Sequence, residues 1–280
     1  VLQLPAETFK PNKINVRSSV LVLRKREEPD EDVADDYPIS FVVVESLGYE
    51  GSGDEIRGFD LPRLIAEVTA IEARKLSADE IRAGYKWSAF PVRSSDIARD
   101  KTARFDIRYW HPTVRLSVAE LAKRAGTQTV KALNAIATRR GMSPSPAEYV
   151  SADEGHAIVV KSGSNIAKTG ELIWRGDFIE RPLYEEYVEK GLALQDGDIL
   201  LASTGDGTLG KCCVYRSRDD KGETRPGIPE GHVTIIRVDA SDVYPEYLCD
   251  YLPRGFGHDQ IYRAFTGSTG MIELTPPLPP

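Results

Sequence analysis

Past Gly141 the sequence turns to short apolar runs. Ala157 to Lys161, Asp198 to Ala202, Cys212 to Arg216 and His232 to Asp239 are rich in β-branched and other apolar residues and are set apart by Gly, Asp and Pro. Runs of this length, flanked by turn formers, read as strands. No regular helix-length segments alternate with them, which excludes a sheet wound from repeated strand–helix–strand units. The expected class is α+β, with a mixed or antiparallel, barrel-like sheet and peripheral helices. Pro245 to Leu252, with proline near its first turn, is the last clear helix.

The front of the chain reads differently. Two β-like runs, Ser19 to Arg24 and Ile39 to Glu45, flank a highly acidic stretch from Glu27 to Asp36, the pattern of a hairpin with a solvated loop. Leu61, Leu64, Ile65, Val68 and Ile71 follow helical spacing over Asp60 to Lys75, with Asp60 as N-cap. Ser77 and Glu80 have capping-box spacing for a second short helix. Trp87 to Trp110 contains Pro91 and reads as linker with some strand. Ser117 and Glu120 repeat the capping-box spacing ahead of Leu121, Ala122, Val130, Leu133 and Ile136, with Gly126 as an interruption. The expected organisation is therefore a β-hairpin over residues 1–48, a helical linker over 49–108 and the main domain over 109–280.

Composition narrows the function classes. No apolar run approaches the ~20 residues that span a bilayer, and Val-Leu-Gln-Leu-Pro is not the start of a secretory signal. Three cysteines, of which Cys212 and Cys213 are adjacent and Cys249 stands apart, fit a reducing cytoplasm and no disulfide framework. His111, His156, His232 and His258 are scattered, so no metal site is expected. The net charge of −7 opposes a polyanionic partner. Charge is unevenly distributed, however: Arg115, Lys123, Arg124, Lys131, Arg139 and Arg140 stand against Glu120 alone, a local balance of +5.

Two motifs invite other readings. Gly205 to Lys211 contains G-x-G-x-x-G, and with Cys212 it also reads as a P-loop in which Cys replaces Ser or Thr. Either motif requires a helix next, because the phosphate sits on that helix's N-terminus. Cys-Cys-Val-Tyr-Arg follows, a strand-like run, so a glycine turn joining two strands is expected. Leu116 to Asn134 is similar to a repressor helix-turn-helix, with a turn about two residues shorter than usual. An ordinary basic helix pair fits it as well.

Four later stretches, in order, carry a resemblance. They are Arg139 to Tyr149 (Arg-Arg-Gly-Met-Ser-Pro-Ser-Pro-Ala-Glu-Tyr), Ile158 to Ile166 (Ile-Val-Val-Lys-Ser-Gly-Ser-Asn-Ile), Leu194 to Gly205 (Leu-Gln-Asp-Gly-Asp-Ile-Leu-Leu-Ala-Ser-Thr-Gly) and Phe265 to Leu274, which includes Thr-Gly-Ser-Thr-Gly. Together they resemble the target-recognition domain of type I restriction-modification specificity subunits. Leu4-Pro5, Phe9-Lys10-Pro11, Val16 to Lys25, Gly48-Tyr49 and Asp60-Leu61-Pro62 resemble the end of the catalytic domain of adenine-specific DNA methylases. The combination is similar to type IIG-like fusions of methylase and recognition domain. The methylase's glycine-rich S-adenosylmethionine loop and N-P-P-Y-type motif do not occur in these residues.

The resemblance implies sequence-specific recognition of double-stranded DNA, with catalytic residues and S-adenosylmethionine in a methyltransferase domain outside this chain. Other restriction-modification subunits and an endonuclease activity of the parent protein are further implied partners and functions. No cofactor, metal or membrane partner is expected of these residues themselves. Lys161, Ser162, Ser203, Thr204, Lys211, Ser268 and Thr269 are the expected phosphate contacts, as lysines and small hydroxyl residues beside glycine. Arg175, Arg181, Arg216 and Arg218 are the expected base readers. A P-loop-like nucleotide-binding enzyme, a helix-turn-helix regulator and a protein-interaction module remain as alternatives.

Overall fold

The computed structural model describes residues 1–13, 18–23, 36–70, 87–100, 102–124, 137–205, 207–239, 243–266 and 272–274. Described residues up to Leu116 form one unit and those from Ser117 a second. The Ser77 capping box and the helix-turn-helix turn at Gly126 to Val130 lie outside the described residues.

In the first unit, β1 (Leu2–Gln3), β2 (Ser19–Val20), β3 (Pro38–Val44) and β4 (Trp87–Arg93) make one sheet in the order β2-β1-β3-β4. Alternation along β3 separates two clusters. Phe41 stacks on Phe90, with ring centroids 5.7 Å apart, above Ile97, Ile107 and Trp110, while Val42 and Val44 face Leu64 and Ala89. The expected hairpin between Ser19 to Arg24 and Ile39 to Glu45 does not form: β1 lies between β2 and β3, parallel to β3. The antiparallel partner of β3 is β4, which supplies the strand expected within the stretch that reads as linker with some strand. Pro91 weakens the strand signal there because it has no N–H, yet β4 is an edge strand, where one lost donor is tolerated.

Helix α1 (Leu61–Ala70) starts where expected, with the Asp60 carboxylate accepting from the Arg63 N–H at 2.9 Å. Short helices α2 (Ser94–Arg99) and α3 (Ile107–Trp110) follow β4. Helix α4 (Pro112–Lys123) begins at Pro112 and not at Ser117, which falls inside it. Proline's fixed φ and missing donor suit the first helical position, and that signal outweighs the capping-box spacing.

The second unit is built in layers. A four-stranded antiparallel sheet has the order β5 (Ala137–Arg140), β11 (Val233–Arg237), β8 (Ile199–Ala202), β9 (Cys212–Val214). A three-stranded sheet runs β10 (Gly227–Pro229), β6 (Ala157–Val160), β7 (Phe178–Ile179), with β10 and β6 parallel. All four residues of β6 and of β8 are buried, because both faces of both sheets are covered. Ile158, Val160, Phe178, Leu200, Cys213, Tyr215, Val233 and Ile235 fill the space between the sheets.

On the outer face of the larger sheet, Ile199, Leu201, Cys212 and Ile236 pack against α6 (Pro245–Tyr251) and α7 (Gly255–Ala264) through Leu248, Cys249, Leu252 and Ile261. On the outer face of the smaller one, Ala157, Val159, Ile179 and Ile228 pack against Tyr187 of α5 (Arg181–Glu189). The α+β class expected from the sequence is the one observed. The two sheets of the second unit are open and pack face to face, and no closed barrel occurs among the described residues, where a barrel-like sheet was expected.

All three cysteines are buried within this sandwich. Burial pushes the Cys213 thiol up to about 12, so it is a neutral packing group. Thr234 is fully buried too, and its hydroxyl has no hydrogen-bond partner among the described residues. A buried unsatisfied hydroxyl costs more than a methyl of the same shape. Thr234→Val should therefore leave stability unchanged or raise it by about 1 kcal/mol, measured as an increase in the urea midpoint with unchanged slope.

Candidate nucleic-acid interface

The strand directions bring several loops to one end of the sandwich. There β6 leads into residues 161–177, β8 is joined to β9 by residues 203–211, β10 turns into β11 at Glu230 to His232, and β5 leaves through Gly141. The Glu230 N–H donates to the Val160 carbonyl and the Gly141 N–H to the Val233 carbonyl, which ties the two sheets together at this end. Glu273 forms bridges to both Thr204 and Thr266 and so holds the final described segment against the same end.

The β8–β9 connection is a strand-to-strand turn. The Gly210 N–H donates to Ala202 O at 2.9 Å and the Ala202 N–H to Lys211 O at 2.8 Å. Gly205 and Gly210 have φ of +92° and +84°, a region that favours glycine. The residues after Gly210 continue as β9, so the turn lacks the following helix that a phosphate-binding loop requires.

The β6–β7 connection is organised by Asn165, which is 1% exposed. Its Oδ1 accepts from the Lys161 N–H and the Ser164 hydroxyl, and its Nδ2 donates to the carbonyls of Ile173 and Arg175. Beyond it, a bridge between Ile166 and Leu172 closes a tight hairpin with Lys168, Thr169 and Gly170 exposed at its tip. Sequence reasoning passed over Asn165. Its signal is an amide, in a Ser-Gly-Ser-Asn run, immediately before an apolar residue.

The expected contact residues are unequally placed. Lys161 donates to Asp177 at 2.5 Å and lies over the Tyr149 ring at 4.3 Å. Burial pulls its pKa down, but the hydrogen bond to Asp177 and the carboxylate's charge outweigh that and the net direction is up. Ser203 is fully buried, with its hydroxyl donating to His232 O, and Ser162 is buried as well. The Ser203 hydroxyl is therefore turned away from the surface. Thr204 accepts from Arg140, which also pairs with Glu273. Ser268 and Thr269 lie outside the described residues, although the flanking Thr266 and Glu273 are at this end.

Of the four expected base-reading arginines, Arg175 alone is at this end. Arg181 follows β7 at the opposite end, where its charge adds to burial in holding His156 below its ordinary value. Arg216 and Arg218 follow β9, also at the opposite end, and Arg216 is paired with Glu246.

The +5 stretch likewise does not make one free basic face. Arg115 pairs with Asp96 at 3.0 Å, Arg139 donates to the carbonyls of Lys190 and Gly191, and Lys131 is outside the described residues. Lys123 and Arg124 remain exposed. At the loop-bearing end, Lys168, Arg175 and Lys211 are the cations without an ion pair among the described residues.

Among the described residues, no helix is long and apolar enough to cross a membrane, and no group of three or more His, Cys, Asp or Glu could hold a metal ion. No family model matches the sequence, and no curated protein does. Among solved structures, the chain is similar to the HsdS subunit from Thermoanaerobacter tengcongensis, at 13% identity and a TM-score of 0.32 over 70% of this chain and 53% of that one. The chain thus spans about half the length of that subunit.

Proposed function

We propose that the second unit recognises duplex DNA for a bacterial restriction-modification adenine methyltransferase whose catalytic residues lie outside this chain. The observation that carries the reading is a convergence. The four stretches that resemble a target-recognition domain are far apart in sequence, yet each runs into the loop-bearing end of the sandwich through Gly141, Lys161 to Asn165, Ser203 to Gly205, and Thr266 with Glu273. A rigid core with loops gathered at one end suits the task, because phosphate contacts position such a domain while loop side chains reach base edges. S-adenosylmethionine, base extrusion and methyl transfer belong in this reading to the methyltransferase domain.

The available charge sets the expected strength. Arg140 and Lys161 are already matched to carboxylates, so among the described residues three cations remain to meet DNA at this end, whether at phosphates or at bases. A full complex makes ~6–10 phosphate contacts, and fewer contacts give weaker binding and a shallower salt dependence. Fluorescence-anisotropy titration of a labelled duplex across a salt series tests this. Binding should be micromolar or weaker near physiological salt. Lys211→Ala should weaken all sequences about equally and lower the salt slope by about one. A folded protein that binds no duplex at low salt would rule the reading out and favour a protein-interaction module.

A further inference from the structure

The sequence points to arginines as base readers, but three of the four are placed at the end away from the converging loops. A different element at the loop-bearing end exposes polar side chains. The hairpin from Ile166 to Leu172 stands on a fixed base: Asn165 holds it by hydrogen bonds to Lys161, Ile173 and Arg175, and Ile166 is buried among core residues with Leu172 and Trp174 packed nearby. Its turn is closed by the Ala167 N–H donating to Glu171 O and the Gly170 N–H donating to Ala167 O.

The tip also has a defined neighbour. Gly170, at φ +92°, lies against the start of β9, where an added Cβ would sit 3.7 Å from the Cys212 carbonyl oxygen. That contact brings Lys168 and Thr169 to the side of the sandwich that carries Lys211. Among the described residues, Lys168 forms no ion pair and the Thr169 hydroxyl donates only to the exposed Glu171 carboxylate, at 3.3 Å.

We propose that the tip residues Lys168 and Thr169 read base edges in a DNA groove, while the neighbouring Lys211 holds the backbone; this rests on the duplex-binding reading above. A narrow two-stranded ribbon is a shape that the major groove admits. Lysine donates to guanine O6 and N7, and threonine offers a hydroxyl and a methyl that can meet a thymine methyl. The hairpin's fixed base matters because discrimination requires the reading atoms to be held in place before binding.

Selection of bound duplexes from a randomised library, with the whole chain, tests the proposal. The expected result is a base preference at one or two adjacent positions that falls about tenfold in Lys168→Ala or Thr169→Ala. Arg218→Ala, at the opposite end, should leave it unchanged. Both tip positions are exposed, so folding is not at issue, and far-ultraviolet circular dichroism confirms it. If the variants select the same sequences as the unmodified chain, the tip is not the reader and the inference falls while duplex binding stands. If the unmodified chain retains no duplex, the underlying DNA reading falls instead.

Discussion

Asn165→Ala should be among the most destabilising single substitutions in the second unit, at about 2–4 kcal/mol. Each buried polar group left without a partner costs about 1–3 kcal/mol, and such costs are only partly additive. Alanine would strand the Lys161 N–H and the Arg175 carbonyl and leave the Ile173 carbonyl with the Arg175 N–H as its one donor among the described residues, at a position where Asn165 is 1% exposed. Asn165→Asp should not rescue the loss, because a carboxylate can accept from Lys161 but cannot donate to the two carbonyls. It also introduces a buried charge. Urea denaturation followed by tryptophan fluorescence measures both variants, and a cost below about 1 kcal/mol for either would show that the loop is held by other contacts. Duplex affinity should fall as well, since the hairpin base would lose its anchor.

Arg237→Ala should have a comparable effect through charge. Arg237 donates from Nε and Nη2 to the two oxygens of Asp198, each at 2.6 Å, and Asp198 is 1% exposed while the Arg237 side chain is 35% exposed. Asp198 also accepts from the Gln195 N–H. Removing the arginine leaves a buried carboxylate with one remaining donor, at an expected cost of about 3–5 kcal/mol. Asp198→Ala should cost less, about 2–4 kcal/mol, because the partly exposed guanidinium can turn to water. The double variant should be more stable than the sum of the singles implies, since neither charge is then orphaned. Additive losses in the urea midpoints would mean that the two residues act independently.

The α+β class and the strands after Gly141 were legible because their signal is local. Ala157 to Lys161, Asp198 to Ala202, Cys212 to Arg216 and His232 to Asp239 each contain an observed strand. The turn at Gly205 to Lys211 was legible for the same reason, since a strand-like run follows it at once. Pairing was less accessible. Nothing in Ser19 to Arg24 announces that Leu2 and Gln3 will insert between it and β3, because which edges meet is decided by non-local packing.

The loops that carry the candidate contact residues were legible, and the direction of each side chain was not. Small hydroxyl residues beside glycine do mark the converging loops, but composition cannot say which way a side chain faces: Ser203 points inward to His232 O. Net local charge misled in a similar manner. Arg115, Arg139 and Arg140 belong to the most basic stretch of sequence, and each is engaged by a protein carboxylate or carbonyl. The placement of the arginines is a matter of topology, because a two-residue β7 and a three-residue β9 carry Arg181, Arg216 and Arg218 to the end away from the converging loops.

Hydrogen–deuterium exchange on the whole chain, with and without saturating duplex DNA at low salt, tests most directly that the loop-bearing end is the DNA-contacting surface. The expected result is slowed exchange concentrated in residues 161–175 and 203–211, with residues 181–189 and 216–225 at the opposite end unchanged. Protection centred on that opposite end, or no protection anywhere in a folded chain, would contradict the account.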